Sequence, residues 1–257
     1  NGFLIGETVA ASLTIPFILP LVGHHWEGAF AFWSLPVLIT AATLFALTPQ
    51  PVRSEDVAPV RWWPDWRDAR TWRLGLVLGC ASLAYFGSNA FIPDYLKATH
   101  HSALTSAALT SLNFSQVPSS ILTALFPGYL IARRWPIVFA GALTLISAIG
   151  FRLGGGYVVL FAGTLGFSTA LVFVLSLALP PLLAEAHDVH RLTAAMFTIT
   201  YVCPFIGSLV GGAVWDATGI PVTAFVAVAA AGLLMMVLGG GLHLPAGLRD
   251  TPVPAAL

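Results

Sequence analysis

The sequence predicts an all-α membrane protein with about eight transmembrane helices, and three observations predict it. First, the 257 residues are 57% apolar and only 9% charged, with a mean hydropathy of +0.86. A soluble domain carries roughly 25% charged residues, so this chain lacks the polar surface that water requires. Second, charges punctuate long uncharged runs: 25 residues between Glu27 and Arg53, 20 between Arg73 and Asp94, 35 between Lys97 and Arg133, and 32 between Arg152 and Glu185. A membrane helix needs about 20 apolar residues. Third, the runs are continuous. They show neither the alternation of a barrel strand nor the one polar face of a helix in a soluble bundle.

In order, the spans fall near 3–22, 28–47, 74–96, 104–131, 135–152, 157–183, 193–215 and 221–243. The chain divides into 1–48 (two helices), 49–73 (a long charged connection) and 74–257 (six helices). The connection ends in RWWPDWRDARTWR, residues 61–73, which holds four of the eight tryptophans and six of the 22 acidic and basic residues. Trp62, Trp66, Ala69 and Trp72 fall near one helical face, Pro64 suits a first turn, and Trp with Arg favours the headgroup layer. A short interfacial helix over 63–72 is expected, with an irregular loop as the alternative.

Lys and Arg set the orientation. Arg53, Arg61, Arg67, Arg70, Arg73, Arg133, Arg134, Arg191 and Arg249 fall on one side, and Lys97 and Arg152 on the other. The segment 49–73 and the C-terminus are therefore expected in the cytoplasm, with the spans in the cytoplasmic membrane. The lipid bilayer is the first expected partner. Zero net charge provides no electrostatic footprint for nucleic acid. Cys80 and Cys203 lie inside apolar runs without zinc-site spacing, so no metal or cofactor is expected. No nucleophile elbow, phosphate loop, HExxH or CxxC occurs, so the chain does not read as an enzyme. The chain starts at Asn1 in apolar sequence without a basic leader, which reads as a cut through something longer.

Two spans, a long connection and six spans fit a six-plus-six plan lacking its first four helices. GETVAASLTIPFILPLVGHHWEGAFAFWSLPVLI resembles helices five and six of the cyanate and nitroimidazole transporter branch of the major facilitator superfamily. VPSSILTALFPGYLIARRWPIVFAG is similar to its helix eight, cytoplasmic turn and helix nine, and FIGSLVGGAVWDATG to the end of its helix eleven. Two features depart from that pattern: Ile131 and Ala132 stand where an Asp usually precedes the Arg pair, and SLTIPFILP lacks the antiporter glycine-proline signature. The resemblance implies a partial major facilitator fold.

It also implies secondary transport of a small solute, anions included, by rocking of two helical halves, with protons as a candidate coupling ion. By resemblance Tyr85, Asn89, Ser168 and Thr169 face the path, and Glu7, Asn113, Gln116 and Tyr201 flank it. The residues themselves leave alternatives open. An intramembrane acid such as Glu7 is costly and usually faces a partner or a wet cavity, but near an interface it can snorkel. Asn113 and Gln116 are three apart and share a face, beside Pro118, which frees a backbone carbonyl. Such amides line solute paths and also glue helices together. Gly207, Ser208, Gly211 and Gly212 read as close helix packing. The alternative function is a truncated, transport-inactive membrane fragment or structural partner subunit.

The orientation is tested by single cysteines at Ser54 and His100. A membrane-impermeant thiol reagent added outside is expected to modify position 100 and spare position 54; the reverse pattern contradicts the assignment.

Overall fold

A computed structural model describes residues 13–47, 63–131, 133–185 and 187–242, with Gly6 and Ala10 besides. The described residues are helices joined by turns, with no strand among them. Six helices there are long and apolar enough to cross a membrane. The protein is an all-α membrane protein. It separates into two compact units, residues 2–60 and 61–257.

In the first unit a π-helical turn, Thr14–Ile18, leads through Leu19–Leu21 and a tight turn into α1, Trp26–Leu47. His24 in that turn takes a positive φ of 61°. Trp33 Nε1 donates to Thr14 Oγ1 at 2.9 Å, joining the two segments. Residues 3–5, 7–9, 11 and 12 of the expected span 3–22 lie outside the described residues.

The second unit begins with α2, Ala69–Ala98. At 1.5 Å per residue its 30 residues reach about 45 Å, more than the ~30 Å hydrocarbon core. Its charged ends, Arg70 and Arg73 at one and Asp94 and Lys97 at the other, therefore extend beyond the apolar layer. The helix expected over 63–72 is corrected here. Residues 63–68 form bends and turns. Asp68 is the N-cap of α2, accepting from the Arg70 amide at 2.8 Å, and Asp65 accepts from the Arg67 amide at 3.0 Å. A capping aspartate starts a helix after itself, so Pro64 and Asp65 belong to the approach. The tryptophans pack on one another: Trp66 and Trp72 lie 5.8 Å apart, and Trp72 Nε1 donates to the Trp66 carbonyl.

The span expected over 104–131 is broken into three: α3 (Thr105–Phe114), α4 (Gln116–Leu125) and α5 (Pro127–Leu130). Pro118 has no N–H to give the Phe114 carbonyl, and its ring crowds that carbonyl, so the ladder breaks at Ser115. Pro127 does the same to α4, which stops at Leu125.

The remaining elements are α6 (Trp135–Gly150), α7 (Tyr157–Ala178), the one-turn α8 (Pro180–Leu183), α9 (Val189–Thr218) and α10 (Val226–Gly240). Helix α9 ends on Gly219 at φ 67°, the left-handed cap that glycine adopts without strain. Helices α2 and α7 are central: α2 packs on α3, α7, α9 and α10, and α7 packs also on α3, α4 and α6. One core cluster gathers Leu74, Leu78, Leu175, Met196 and Met235. A second gathers Ile92, Leu112, Phe151, Leu165 and Phe225.

Where the helices touch, small residues let backbones approach, as bilayer packing requires. A Cβ on Gly141 would sit 2.8 Å from the Gly232 carbonyl oxygen, and one on Gly211 2.6 Å from that of Ala224. A Cβ on Gly166 would overlap the Leu112 carbonyl across the α3–α7 contact. Gly166→Leu is therefore expected to force α3 from α7 and to destabilise by at least the ~1–3 kcal/mol of an overpacked core. Thermal unfolding in detergent measures it, and an unchanged midpoint would contradict the close approach.

Candidate functional site

Polar side chains gather at several places inside this apolar bundle, and two of them include expected site residues on α3 and α4. The first joins α2 to α3. Tyr85 Oη donates to Asn113 Oδ1 at 2.5 Å, and Asn113 Nδ2 donates to the Leu109 carbonyl at 2.8 Å. One turn along α2, Asn89 Nδ2 donates to the Tyr85 carbonyl at 3.0 Å. Asn113 is buried, whereas Tyr85 and Asn89 are partly exposed. An interhelical hydrogen bond in a membrane protein contributes on average about 0.6 kcal/mol. The Tyr85–Asn113 link is thus weak enough for a competing hydrogen-bonding molecule to displace.

The second place lies on α4 and α7. All four buried residues of α4 are polar: Gln116, Ser119, Ser120 and Thr123. Ile121 and Leu125 face outward, 52% and 67% exposed, while Leu122 is half-buried against the core. Gln116 Nε2, Ser119 Oγ, Ser120 Oγ and, on α7, Ser176 Oγ are buried without a protein partner. A buried polar group left unpaired costs about 1–3 kcal/mol. Three of them lie on α4 and the fourth on α7, the helix α4 packs against.

The expected site residues separate accordingly. Tyr85, Asn89 and Asn113 come together, and Gln116 follows just beyond the break at Ser115. Ser168 lies instead in the α6–α7 interface, fully buried, with its hydroxyl 2.8 Å from that of Thr144. Thr169 is buried and bonds the Leu165 carbonyl of its own helix at 3.0 Å. Tyr201 is 63% exposed on α9, its ring stacked on Phe197. Glu7 lies outside the described residues.

Sequence reasoning missed the hydroxyl pairs Thr144–Ser168 and Ser147–Thr164, the latter at 2.6 Å. Their signal was present: Thr144 and Ser147 are three apart and Thr164 and Ser168 four apart, each pair on one face of its helix. It missed Ser176 as well, a lone serine in the apolar run FVLSLA.

The cationic end of the unit is built from helix termini. Arg73 and Arg134 donate to the carbonyls of Gly241 and Gly240, at 3.2 and 3.3 Å, which complements the carbonyl end of α10. Arg191 Nε donates to the Trp63 carbonyl at 2.9 Å while its Nη1 pairs with Asp188. The hydrogen bond from Arg191 and the charges of Arg191, His187 and His190 hold the Asp188 carboxyl below the usual carboxylate range. Asp65, Asp68, Arg70, Glu185, Asp188 and Arg191 border a pocket of about 220 Å³ there.

No family model matches the chain. The uncharacterized transporter YycB of Bacillus subtilis (strain 168) is 23% identical to it over 222 residues, which are 83% of this chain and 54% of that protein. The chain spans about half the length of this curated relative, and it is similar to a protein named as a transporter.

Proposed function

We propose that this chain is part of a secondary transporter of the major facilitator type, similar to the cyanate and nitroimidazole branch. It carries a small solute across the cytoplasmic membrane by rocking of two helical halves, with segment 49–73 and the C-terminus in the cytoplasm. The observation that carries this reading is the node of Tyr85, Asn89 and Asn113. Its polar groups lie inside the bundle, one is buried and two are partly exposed, and its interhelical bond is weak enough to exchange for a solute. Gln116 extends the node along the kinked helix. The similarity to YycB supports transport in general terms.

The chemistry of the node bears on the solute. No Lys or Arg occurs between Arg73 and Lys97, between Lys97 and Arg133, or between Arg152 and Arg191. An anion at the node, away from the arginines at the end of the unit, would meet only neutral donors. If protons drive the movement, the group that takes them up lies elsewhere, and Glu7 is the candidate the sequence offers.

Uptake of a panel of labelled small solutes into proteoliposomes holding the full chain tests the reading. Tyr85→Phe and Asn113→Leu each remove a partner of the node. They are expected to lower uptake roughly 5- to 150-fold, the range of about 1–3 kcal/mol for a lost buried partner, with insertion unchanged. Ser106→Ala, at the exposed start of α3, is the control. Wild-type rates in both node variants would remove the node from the path. An inserted chain that moves none of the solutes would favour a transport-inactive membrane partner.

A further inference from the structure

We infer that the seam between α4 and α7 is a binding groove for small uncharged molecules that present an acceptor oxygen, water being the smallest. The inference extends the proposed transport function by adding Ser119, Ser120 and Ser176, with Gln116, to the groups a solute meets.

The buried face of α4 consists of Gln116, Ser119, Ser120 and Thr123, and the long helix against which α4 packs is α7. On α7, Gly166, Thr169, Phe173 and Ser176 follow one another at helical spacing along one stripe. Gly166 sets the direction of that stripe, because a Cβ there would meet Leu112 and Ser115 at the α3–α4 junction. Ser176 is therefore on the side of α7 that carries α4.

The hydroxyls of this region fall into two classes. Thr123, Thr144, Ser168, Thr169 and Thr200 each close on a carbonyl of their own helix, at 2.6 to 3.2 Å. Such local bonding is the ordinary solution for hydroxyls in membrane helices. Ser119, Ser120 and Ser176 do not adopt it, although each is at least nine-tenths buried. Gln116 Nε2 is buried and equally without a partner. An amide nitrogen can only donate, so its partner must be an acceptor, and serine hydroxyls can serve either end of the same small molecule. Buried polar groups without a protein partner are commonly satisfied by bound water where the site has room for it.

Charge defines the class of ligand. The sequence from Ala98 to Ala132 and from Leu153 to Ala184 has no Lys, Arg, Asp or Glu, so α3, α4 and α7 offer no counter-ion. An ion in this seam would be desolvated without compensation, whereas an uncharged oxygen-bearing molecule would not.

Single cysteines at Ser119, Ser120 and Ser176, in a background with Cys80 and Cys203 replaced by alanine, test the inference in proteoliposomes holding the full chain. Serine to cysteine exchanges one atom, so folding is retained. The probe is 2-hydroxyethyl methanethiosulfonate, neutral and water-soluble, and Ile121→Cys on the outward face of α4 is the reference. Labelling at the three positions is expected to be on the order of tenfold faster than at 121, because thiolate forms only where water reaches. Acetamide and acetate, alike in shape and different in charge, then identify the occupant. Slowing by acetamide but not acetate means a solute groove, and slowing by neither means a water-filled one; both support the inference. Slowing by acetate instead overturns the uncharged class. Labelling as slow as at 121 overturns the groove and leaves the serines as dry contacts between helices. The readout needs no transport, so a chain inactive in uptake still tests the groove, and a dry seam leaves the Tyr85–Asn113 node standing.

Discussion

Hydrocarbon supplies no hydrogen-bond partner, and that constraint governs where each polar side chain of this molecule can lie. Helix α4 shows the consequence most directly, since its buried residues are Gln116, Ser119, Ser120 and Thr123 while Ile121 and Leu125 face outward. In a soluble protein the two faces would be exchanged. Elsewhere in the unit buried hydroxyls lie beside an apolar core and apolar side chains also face outward: Thr144, Ser147, Ser168, Thr169 and Thr200 are buried, and Phe114, Phe139, Leu160, Phe205 and Leu233 are exposed. With apolar groups already at ease in lipid, burial of leucine does little to hold helices together. Close approach at Gly141, Gly166, Gly211 and Gly232 and hydroxyl pairs across α6 and α7 take over that role.

Charges obey the same rule from the other side. They collect at the helix ends, where they meet carbonyls or each other. Arg73 and Arg134 converge on the end of α10, and Arg191 joins Asp188 to the carbonyl of Trp63. The segment before α2 is thereby tied to the turn before α9. A stretch rich in Trp and Arg is thus used for anchoring through backbone carbonyls and a capping aspartate, without a helix of its own.

Most of the fold was legible because charge marks the limits of lipid. The spans near 28–47, 74–96, 135–152, 157–183, 193–215 and 221–243 each coincide with a helix long and apolar enough to cross. Two things were hidden. Hydropathy averages over a proline, so 104–131 read as one span, although Pro118 and Pro127 break it at Ser115 and Phe126. Amphipathic spacing from Trp62 to Trp72 outweighed Asp68, whose capping role requires knowing that the amide of Arg70 is the one it satisfies. At the site, spacing put Asn113 and Gln116 on one face, and they are both buried on the same kinked run. It could not say which neighbour a face meets. Ser168 was placed on the path by resemblance alone, and its hydroxyl lies 2.8 Å from that of Thr144; Ser176, isolated in an apolar run, gave no pattern at all.

The central claim is that α4 turns its polar groups inward and Ile121 and Leu125 to lipid. Nitroxide scanning of residues 116–125 in bilayers, read by collision with dissolved oxygen, measures it most directly. High oxygen accessibility at 121 and 125 with minima at 116, 119, 120 and 123 is the expected result. A reversed pattern, or uniform accessibility along the helix, would contradict it.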